Sequence, residues 1–453
     1  MEKNHHKTHD MIVHNFNSDF FHVLINDLNK RNIRYAIIGD YRKLPDFVEH
    51  DIDMWTNNII EFRAILFSVI RNCCFSVIID NRTANGCNVA FYKRENEALI
   101  IMKIDVLGDT SYKSILSLVD RETTANCLCP YKDFHIINPE GEALGHFLYP
   151  MFEWGFIKKE QYKIDIKKYC HNEVFFYAFK KLWGGKTAKH VIKMIEEERW
   201  DDICKEMGSL KRKALLRGFF KGKTWGNIFK TIYYTMRRWF VPSGKCLAFC
   251  GLDGAGKTTI LDELNKIFVD LLKSKKVFYG YWRPFAIPEI RELFGKKNSK
   301  VDIDVQAQKG VTVVEPEKKP KNKIVSLVKL FYYWIDYTLA PFKYGSIRNR
   351  GGMVLFDRHY VDMAVHPQRF EMGLPIWLIL LLYKFIPKAD YTFFLYCTPE
   401  EILQRKQEFT KAEIQEQIEL YNEVGKRIKH FVPIHTNTSI AEEIDEILSH
   451  ISR

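Results

Sequence analysis

The periodicity of hydrophobic and polar positions changes along the 453 residues of the chain. In the first part helical and strand patterns are mixed, because the helical spacing of SDFFHVLINDLNKR leads into an apolar run, RYAIIG. Further strand-like runs follow in VAFYKR and ALIIMKIDVLG. This mixture predicts an α+β domain over residues 1–125.

Beyond that point the pattern is mostly helical up to residue 240, with aromatic residues at helical intervals, as in HNEVFFYAFKKLW. From residue 245 on, apolar strand-like runs alternate with helical stretches; the runs are KCLAFCG, KVFYGYW, GMVLFD, YTFFLYC and VPIHTN. Such alternation predicts βαβ units and a parallel sheet. We therefore expect a helical linker at 126–240 and an α/β domain at 241–453, whose parallel sheet is flanked by helices.

Two stretches of unusual composition interrupt this last domain. Residues 295–323 contain eight lysines and few large apolar residues, which predicts a mobile insertion. Residues 374–383, LPIWLILLLY, form the most apolar run, about half the length that a bilayer requires, and predict a buried helix. Since the N-terminus MEKNHHKTHD also lacks the apolar stretch of a signal peptide, we expect a cytoplasmic protein without transmembrane helices.

The composition supports folded domains with anionic partners. A hydrophobic share of 46% is sufficient for two or three cores in a chain of this length. The formal charge of +12 favours phosphates, nucleic acid or acidic membranes as partners, although a basic surface can also serve solubility alone. The ten cysteines include no Cys-x-x-Cys pair, so we expect reduced thiols rather than a zinc ribbon or a disulfide framework.

The clearest motif lies between the strand-like CLAFC and the helical TTILDELNKIFVDLL, where GLDGAGKT fits G-x-x-x-x-G-K-[ST]. Glycines let main-chain N–H groups turn towards phosphates, and the positive end of the following helix assists. Lys257 would reach the β- and γ-phosphates, and the Thr258 hydroxyl would ligate Mg²⁺, with ATP as the substrate. The residues predicted to bind nucleotide are Gly251, Asp253, Gly254, Ala255, Gly256, Lys257, Thr258 and Thr259.

With its acidic residue and glycine inside the loop, GLDGAGKTT resembles the signature of thymidylate kinases, and the resemblance extends over residues 245–450. A second match is GMVLFDRHY, in which an apolar strand ends in Asp357-Arg358, as in the Asp-Arg-Tyr motif of that family. The resemblance implies that Asp357 lies near the magnesium ion or its water shell. It also implies that Arg358 contacts the transferred phosphate or the acceptor. A helix N-cap or surface turn is the alternative for Asp357.

A third match follows YTFFLYC. Residues 398–401, TPEE, have the form of a capping box with proline at the first helical position, and a second box begins at Thr410. The short link from Arg405 to Phe409 stands where thymidylate-kinase-like enzymes carry their lid. The resemblance implies that Arg405 and Lys406 neutralise charge on the transferred phosphoryl group, and a solvated helix end is the alternative.

Two departures from the family concern the acceptor. Arg283-Pro284 stands where thymidylate kinases have Arg-Glu-Pro, and the lid is short, so thymidylate itself is in doubt as acceptor. The aromatic helix LVKLFYYWIDYTL occupies the place of acceptor-binding residues in the family. Tyr333 and Asp336, with Arg283, are therefore candidates for an acceptor pocket, while an aromatic core stripe is the alternative.

In the first domain, three carboxylates form a candidate metal site. Asp51 and Asp53 point to one face if they lie on a strand, and Asp105 in MKIDVLG fits a neighbouring strand with the same orientation. Burying three carboxylates without a cation costs several kcal/mol, and divalent metal ions that clamp a triphosphate are the usual compensation. Ordinary acids beside a turn are the alternative.

Gly39-Asp40, followed after a gap by Asp51-Ile52-Asp53, resembles the pattern of polymerase-β-type nucleotidyltransferases over residues 16–125. Asp40 departs from that pattern, because an anion replaces the small residue that contacts the triphosphate. The implied α+β nucleotidyltransferase-like domain is therefore either active, inactive or specific for another ligand. The whole layout is similar to fused proteins of bacterial surface-polysaccharide gene clusters, which implies a sugar, polyol or lipid-linked glycan as acceptor.

Residues 205–240 are basic and aromatic, since Lys205 to Arg238 contain ten Lys or Arg and only one acid, Glu206. We favour a helix that packs its aromatic residues between domains. Peripheral contact with the inner face of a membrane is the alternative. No specific nucleic acid is predicted as a partner, and a homodimer is left open.

Together these features predict an ATP–Mg²⁺-dependent phosphotransferase of the thymidylate-kinase-like class. Its acceptor would be a nucleoside monophosphate, or a sugar, polyol or lipid-linked glycan. The rivals are an authentic thymidylate kinase and a nucleotide-binding regulatory protein with inactive domains.

Overall fold

The structure, a computed structural model, describes residues 18–46, 51–96, 98–288, 322–367, 369–405 and 409–452. Within these ranges the chain divides into two compact units. The N-terminal unit comprises residues 18–93 and 100–240, and the C-terminal unit comprises residues 241–452 together with 94–99. The insertion predicted at 295–323 lies outside the described residues except for its last two positions.

The N-terminal unit begins with a mixed sheet and two helices that cover it. The helices are α1 (Ser18–Lys30) and α2 (Ile59–Asn72), and the strands are β1 (Tyr35–Ile38), β2 (Ile52–Thr56), β3 (Ser76–Thr83), β4 (Gly86–Glu95), β5 (Ala98–Leu107), β8 (Leu128–Tyr131) and β9 (Phe134–Ile137). Between β5 and β8 lie a hairpin of β6 (Thr110–Tyr112) and β7 (Leu116–Val119) and the short helix α3 (Arg121–Ala125). The strand order of the large sheet is β3-β4-β5-β2-β1-β9-β8, so this sheet continues beyond residue 125.

Register within this sheet places acidic residues side by side. Strands β2 and β5 are parallel neighbours, and Asp53 pairs with Asp105. Helices α1 and α2 bury apolar residues at helical spacing, among them Phe21, Leu24 and Phe62, in one core with the sheet. The predicted helix and strands of this region are confirmed as elements, while the type of domain remains a prediction.

Six helices complete the N-terminal unit: α4 (Pro139–Glu153), α5 (Glu160–Tyr169), α6 (Glu173–Trp183), α7 (Gly185–Glu196), α8 (Trp200–Phe219) and α9 (Gly222–Phe240). Helices α4 to α8 share a second core, which includes Phe147, Phe179 and Trp183. Helix α9 differs from them, because none of its residues is buried. The aromatic residues of α9 are therefore not packed into the core of this unit, and packing between domains stays a prediction.

A five-stranded sheet forms the centre of the C-terminal unit. Its strands are β10 (Cys246–Gly251), β11 (Val277–Tyr281), β12 (Met353–Asp357), β13 (Tyr391–Tyr396) and β14 (Phe431–His435). Their order is β11-β12-β10-β13-β14, and all neighbouring pairs are parallel. Every residue of β10 and β12 is buried, as their continuous apolar sequences require of central parallel strands. The predicted parallel sheet is therefore confirmed.

Helices flank this sheet on both faces: α10 (Lys257–Leu272), α11 (Lys323–Asn349), α12 (Asp362–Val365), α13 (Ile376–Tyr383), α14 (Pro399–Arg405), α15 (Lys411–Gly425) and α16 (Ile440–Ile451). The apolar run at 374–383 forms α13, which buries Ile379 and Leu380 but leaves Trp377 exposed. The capping boxes predicted at Thr398 and Thr410 are both present. Among the described helices, none combines the length and apolarity that crossing a membrane requires.

Candidate functional site

The phosphate loop, residues 251–258, leaves the carboxyl end of the central strand β10 and enters α10. Three of its glycines have positive φ angles: 142° at Gly251, 89° at Gly254 and 77° at Gly256. A Cβ atom at Gly251 would collide with the carbonyl oxygen of Leu395 on β13. Only glycine accommodates this backbone path next to the neighbouring strand, which brings main-chain N–H groups to the beginning of a helix.

Lys257 lies inside the phosphate loop and is 6% exposed. Its ammonium donates to the carbonyl oxygens of Gly251, at 2.9 Å, and Leu252, at 2.6 Å. Burial lowers the pKa of Lys257 to about 8, and the nearby Arg358 acts in the same direction. Thr258 follows in the first turn of α10 and is half-buried, whereas Thr259 is exposed. The Lys257 side chain thus lies where a polyphosphate bound to the loop would contact it.

Asp253 lies between cationic side chains. Its two carboxylate oxygens accept hydrogen bonds from Arg358 and Arg369, and Lys257 lies 3.9 Å away. Burial alone would raise the pKa of Asp253, but Arg358, Lys257 and Arg369 hold it well below its ordinary value. The loop therefore contains a carboxylate that stays ionised and binds two guanidinium groups.

Arg358 has a backbone conformation that is rare for its residue type. Its φ angle is 68°, and its N–H donates to the carbonyl oxygen of Phe249 on β10 at 2.8 Å. This contact directs its side chain from the end of β12 towards the phosphate loop. Such local strain persists only where the surroundings determine it, and it concentrates at functional sites.

Asp357, the last residue of β12, is 8% exposed. Its register partner on β10 is Phe249, two residues before the phosphate loop begins. One of its carboxylate oxygens, Oδ1, has no hydrogen-bond partner among the described residues. The position beside the loop and the unpartnered oxygen fit a residue that holds a cation or its water shell.

Behind Arg358, the buried Asp362 on α12 supports the site. Its carboxylate accepts hydrogen bonds from the main-chain N–H of His359 and from the Tyr421 hydroxyl, both at 2.8 Å, and lies 3.7 Å from Arg358. Burial raises the pKa of Asp362, while Arg358 opposes that rise. Asp362 thus contributes a second, longer ion pair to Arg358, whose Nη1 atom has no hydrogen-bond partner among the described residues.

Two residues bound the outer side of the loop. Arg405, the last residue of α14, is exposed and donates from Nη1 to the carbonyl oxygen of Gly254 at 3.2 Å. The Thr436 hydroxyl donates to the carbonyl oxygen of Ala255 at 3.0 Å. The predicted lid arginine is therefore next to the phosphate loop, while the neighbouring Lys406 lies outside the described residues.

The residues predicted for an acceptor pocket are buried, and two of them, Arg283 and Asp336, are bonded to each other. Arg283 donates from Nε to Asp336 at 3.0 Å and from Nη2 to the Tyr332 hydroxyl and the Ile287 carbonyl oxygen, both at 2.9 Å. Asp336 also accepts from the Ile287 main chain at 2.9 Å. The ring of Tyr333 packs edge-on against Trp282. These contacts brace residues 282–288, and the acceptor role of Arg283, Tyr333 and Asp336 stays a prediction.

In the N-terminal unit, the structure brings the three predicted carboxylates together. One carboxylate oxygen from each of Asp51, Asp53 and Asp105 lies within 4.8 Å of the others, a spacing at which they could hold a metal ion. Asp53 and Asp105 are register partners on neighbouring strands, as the alternation of side chains predicts. We call these three residues the carboxylate cluster.

The sequence interpretation missed Lys103, which lies within this cluster. Its ammonium donates to Asp51 at 2.7 Å and to Asp105 at 2.9 Å, and the residue is 6% exposed. Burial by itself would lower the pKa of Lys103, but the carboxylates of Asp105 and Asp51 raise it above its ordinary value. Since a lysine already neutralises part of the cluster, the residues as arranged do not fit a two-metal site, and we derive no nucleotidyl-transfer step from it.

Four further residues were not found from the sequence: Arg369, Asp362, Tyr421 and Thr436. None of them stands in a local motif, and each reaches the site through tertiary packing. Lys103 had a signal, because it stands two residues before Asp105 and so shares its strand face.

Comparisons with known proteins add little. No family model matches the chain, and no curated protein matches it either. Among solved structures, the chain is similar to thymidylate kinase from Ehrlichia chaffeensis, at 15% sequence identity and a TM-score of 0.30. The alignment covers 46% of this chain and 99% of that one. At this identity and score the likeness assigns neither an activity nor a substrate to the chain.

Proposed function

We propose that the C-terminal unit is an ATP–Mg²⁺-dependent phosphotransferase of the thymidylate-kinase-like P-loop class. The observation that carries this proposal is the phosphate loop at the carboxyl end of β10, with the buried Lys257 inside it and Arg358 beside it. In open parallel sheets, ligands bind at the carboxyl ends of the strands, at the switch point where the strand order reverses direction.

The charges around the loop suit a polyphosphate. Lys257, Arg358, Arg369 and Arg405 bring four positive charges to the loop. The carboxylates of Asp253, Asp357 and Asp362 lie near Lys257, and those of Glu401 and Glu443 lie near Arg405. Main-chain N–H groups at the start of α10 add a positive potential. A triphosphate on the loop would exchange the two carbonyl contacts of Lys257 for phosphate oxygens.

Thr258 and Asp357 fit the role of magnesium ligands, directly or through water. A hydroxyl at the first turn of α10 and a carboxylate with an unpartnered oxygen are the oxygen donors that Mg²⁺ prefers. When bound, the ion would neutralise charge on the phosphates.

In the transfer itself, the bond from the γ-phosphorus to its bridging oxygen breaks while a bond to an acceptor oxygen forms. The residues contribute by position and charge: Lys257 and Arg405 bind the phosphates, and Arg358 faces the path between donor and acceptor. The guanidinium of Arg358 donates to Asp253 and lies 3.7 Å from Asp362, so two carboxylates restrict its position and little reorganisation is needed at the moment of reaction.

The acceptor is proposed to be a nucleoside monophosphate, or a sugar, polyol or lipid-linked glycan. Arg283 has the carboxylate of Asp336 as its partner, whereas Arg358 and Arg369 share the single carboxylate of Asp253, so a charged acceptor would rely on Arg358 and Arg369. An acceptor screen with γ-labelled ATP tests the proposal, with nucleoside monophosphates, sugars, polyols and lipid-linked glycans assayed in parallel. Fastest transfer to thymidylate would indicate an authentic thymidylate kinase. Tight ATP binding without transfer to any acceptor would indicate a regulatory nucleotide-binding protein.

A further inference from the structure

Helix α9 faces the rest of the N-terminal unit with polar side chains. The Asn227 amide donates to the carbonyl oxygen of Ile115 at 3.1 Å, and the Thr231 hydroxyl donates to that of Ser114 at 3.4 Å. None of the nineteen residues of α9 is buried. This orientation is the reverse of an ordinary surface helix, which turns its apolar side inwards.

The outward side of α9 is apolar and aromatic. Its residues are 41% to 82% exposed and recur at intervals of three and four, which places them on one face of the helix. This face, which we call the aromatic face, consists of Trp225, Phe229, Ile232, Tyr233, Met236, Trp239 and Phe240. Single exposed apolar residues are common on proteins, but a continuous row of this kind marks an interaction surface.

The end of α8 extends the aromatic face. Leu216, Phe219 and Phe220 are exposed, and the Phe219 ring lies 5.0 Å from the ring of Trp225. The indole N–H of Trp225 donates to the carbonyl oxygen of Phe219 at 3.0 Å. Since the two helices are joined by these contacts, the surface is held by the fold.

Positive charge borders this surface. Residues 205–238 contain ten Lys or Arg and one acid. Helical periodicity places Lys230 and Arg237 along one edge of the aromatic face. Lys223 is ion-paired with Asp109 at 2.7 Å, and helical periodicity places Arg238 on the side opposite to the aromatic face. Lys230 and Arg237 are therefore the cations of α9 next to the face.

We propose that the aromatic face docks on an anionic lipid bilayer, with α9 lying in the plane of the interface. Tryptophan and tyrosine favour the boundary between headgroups and acyl chains, and basic side chains at the edge reach anionic headgroups. A nucleic acid would instead require the cations at the centre of the face. At 1.5 Å per residue the helix is about 28 Å long, so it would present one continuous apolar strip to the surface.

Co-sedimentation of the full chain with vesicles tests this proposal. We expect binding to vesicles of phosphatidylcholine mixed with phosphatidylglycerol, weaker binding to phosphatidylcholine alone, and partial release by salt. Exchanging Phe229→Ser together with Trp239→Ser should reduce the partition coefficient at least about tenfold, because two large apolar side chains no longer insert. Lys230→Glu with Arg237→Glu should abolish the preference for phosphatidylglycerol.

The matched control removes equally exposed apolar side chains elsewhere in the same unit. Ile60→Ser on α2 together with Ile164→Ser on α5 should leave vesicle binding unchanged. Absence of vesicle binding by the unaltered chain would overturn the proposal, as would equal binding by the Phe229 and Trp239 variant. If light scattering shows a dimer that this variant converts to a monomer while vesicles capture nothing, the face joins two copies of the chain and the lipid proposal is wrong.

Discussion

The carboxylate cluster of the N-terminal unit and the phosphate loop of the C-terminal unit each contain one side chain of the opposite charge. In the cluster, Lys103 lies among Asp51, Asp53 and Asp105 and bonds two of them. In the loop, Asp253 lies among Lys257, Arg358 and Arg369 and bonds both arginines. In each unit, therefore, a side chain of the same unit acts as the counter-ion.

The surroundings of the two counter-ions differ. The loop is built from main-chain N–H groups and glycines, so a polyanion meets donors that do not depend on Asp253. The cluster has only side-chain carboxylates to offer, and Lys103 occupies two of the three. A ligand can therefore join the loop beside its counter-ion, whereas a metal ion must compete with Lys103 in the cluster. The arrangement of the phosphate loop is suited to binding a polyanion. The arrangement of the carboxylate cluster is suited to compensating the charge of its own carboxylates within the fold.

The largest expected effect comes from removing the loop's own cation. Lys257→Ala should reduce phosphoryl transfer by about a thousandfold or more while the fold is retained, because positioning and charge neutralisation supply most of the catalysis. Steady-state transfer from labelled ATP measures it. Lys266→Ala is the matched control, since Lys266 lies on the same helix with an exposed side chain that is ion-paired with Glu263. Near-normal turnover by the Lys257 variant would show that the chemistry lies elsewhere.

Removing the loop's counter-ion tests whether Asp253 only balances charge. Asp253→Asn leaves Arg358, Arg369 and Lys257 close together, so we expect the free energy of unfolding to fall by about 3 kcal/mol. Pyrophosphate should raise the melting temperature of this variant more than that of the unaltered chain, because the anion replaces the lost carboxylate. Glu423→Gln on the exposed side of α15 serves as control. An equal pyrophosphate effect in both proteins would contradict the counter-ion role.

The corresponding change in the cluster is Lys103→Met. Without the ammonium, the three carboxylates are left with less compensating charge, so affinity for Mn²⁺ should increase about tenfold or more over the unaltered chain. Isothermal titration with Mn²⁺ measures this, and Lys30→Met at the exposed end of α1 is the control. Equally tight Mn²⁺ binding by the unaltered chain would show that Lys103 does not keep the cation out.

The sequence predicts a site best when the residues of that site are close together along the chain. The phosphate loop is contiguous, so its residue types and spacing specify it directly. The carboxylate cluster followed from strand alternation, and the same alternation could have placed Lys103 beside Asp105. By contrast, Arg369 reaches Asp253 of the loop and Tyr421 reaches Asp362 from distant parts of the chain, and no local pattern marks either residue.

Two further features depend on tertiary structure that the sequence does not specify. The periodicity of α9 shows that its aromatic residues share a face, but only the contacts of Asn227 and Thr231 show that this face points outwards. Likewise, Arg283 and Asp336 are separated by 53 positions, so their ion pair could not be foreseen and both resembled free pocket residues.

The smallest expected effect is a pH dependence of stability that comes from Glu443, which lies near Arg405 at the phosphate loop. Glu443 on α16 is buried, and burial raises its pKa to about 7 despite the Thr438 main chain, Arg405 and His435, while Glu446 adds to the rise. The folded chain thus retains a proton that the unfolded chain loses near its ordinary value of 4.5. The contribution of the Glu443 carboxyl to the free energy of unfolding is therefore fully present below pH 4.5 and is lost as the pH rises through 7.

Glu443→Gln should remove this slope, an effect on the order of 1 kcal/mol after allowance for screening by solvent. Denaturant unfolding between pH 4.5 and 8 measures it, with Glu416→Gln on the exposed side of α15 as the control. An unchanged slope in the Glu443 variant would mean that the carboxyl is ionised in the folded chain. In that case Glu443 adds a negative charge beside Arg405 and lowers the positive potential that Arg405 contributes to the phosphate loop.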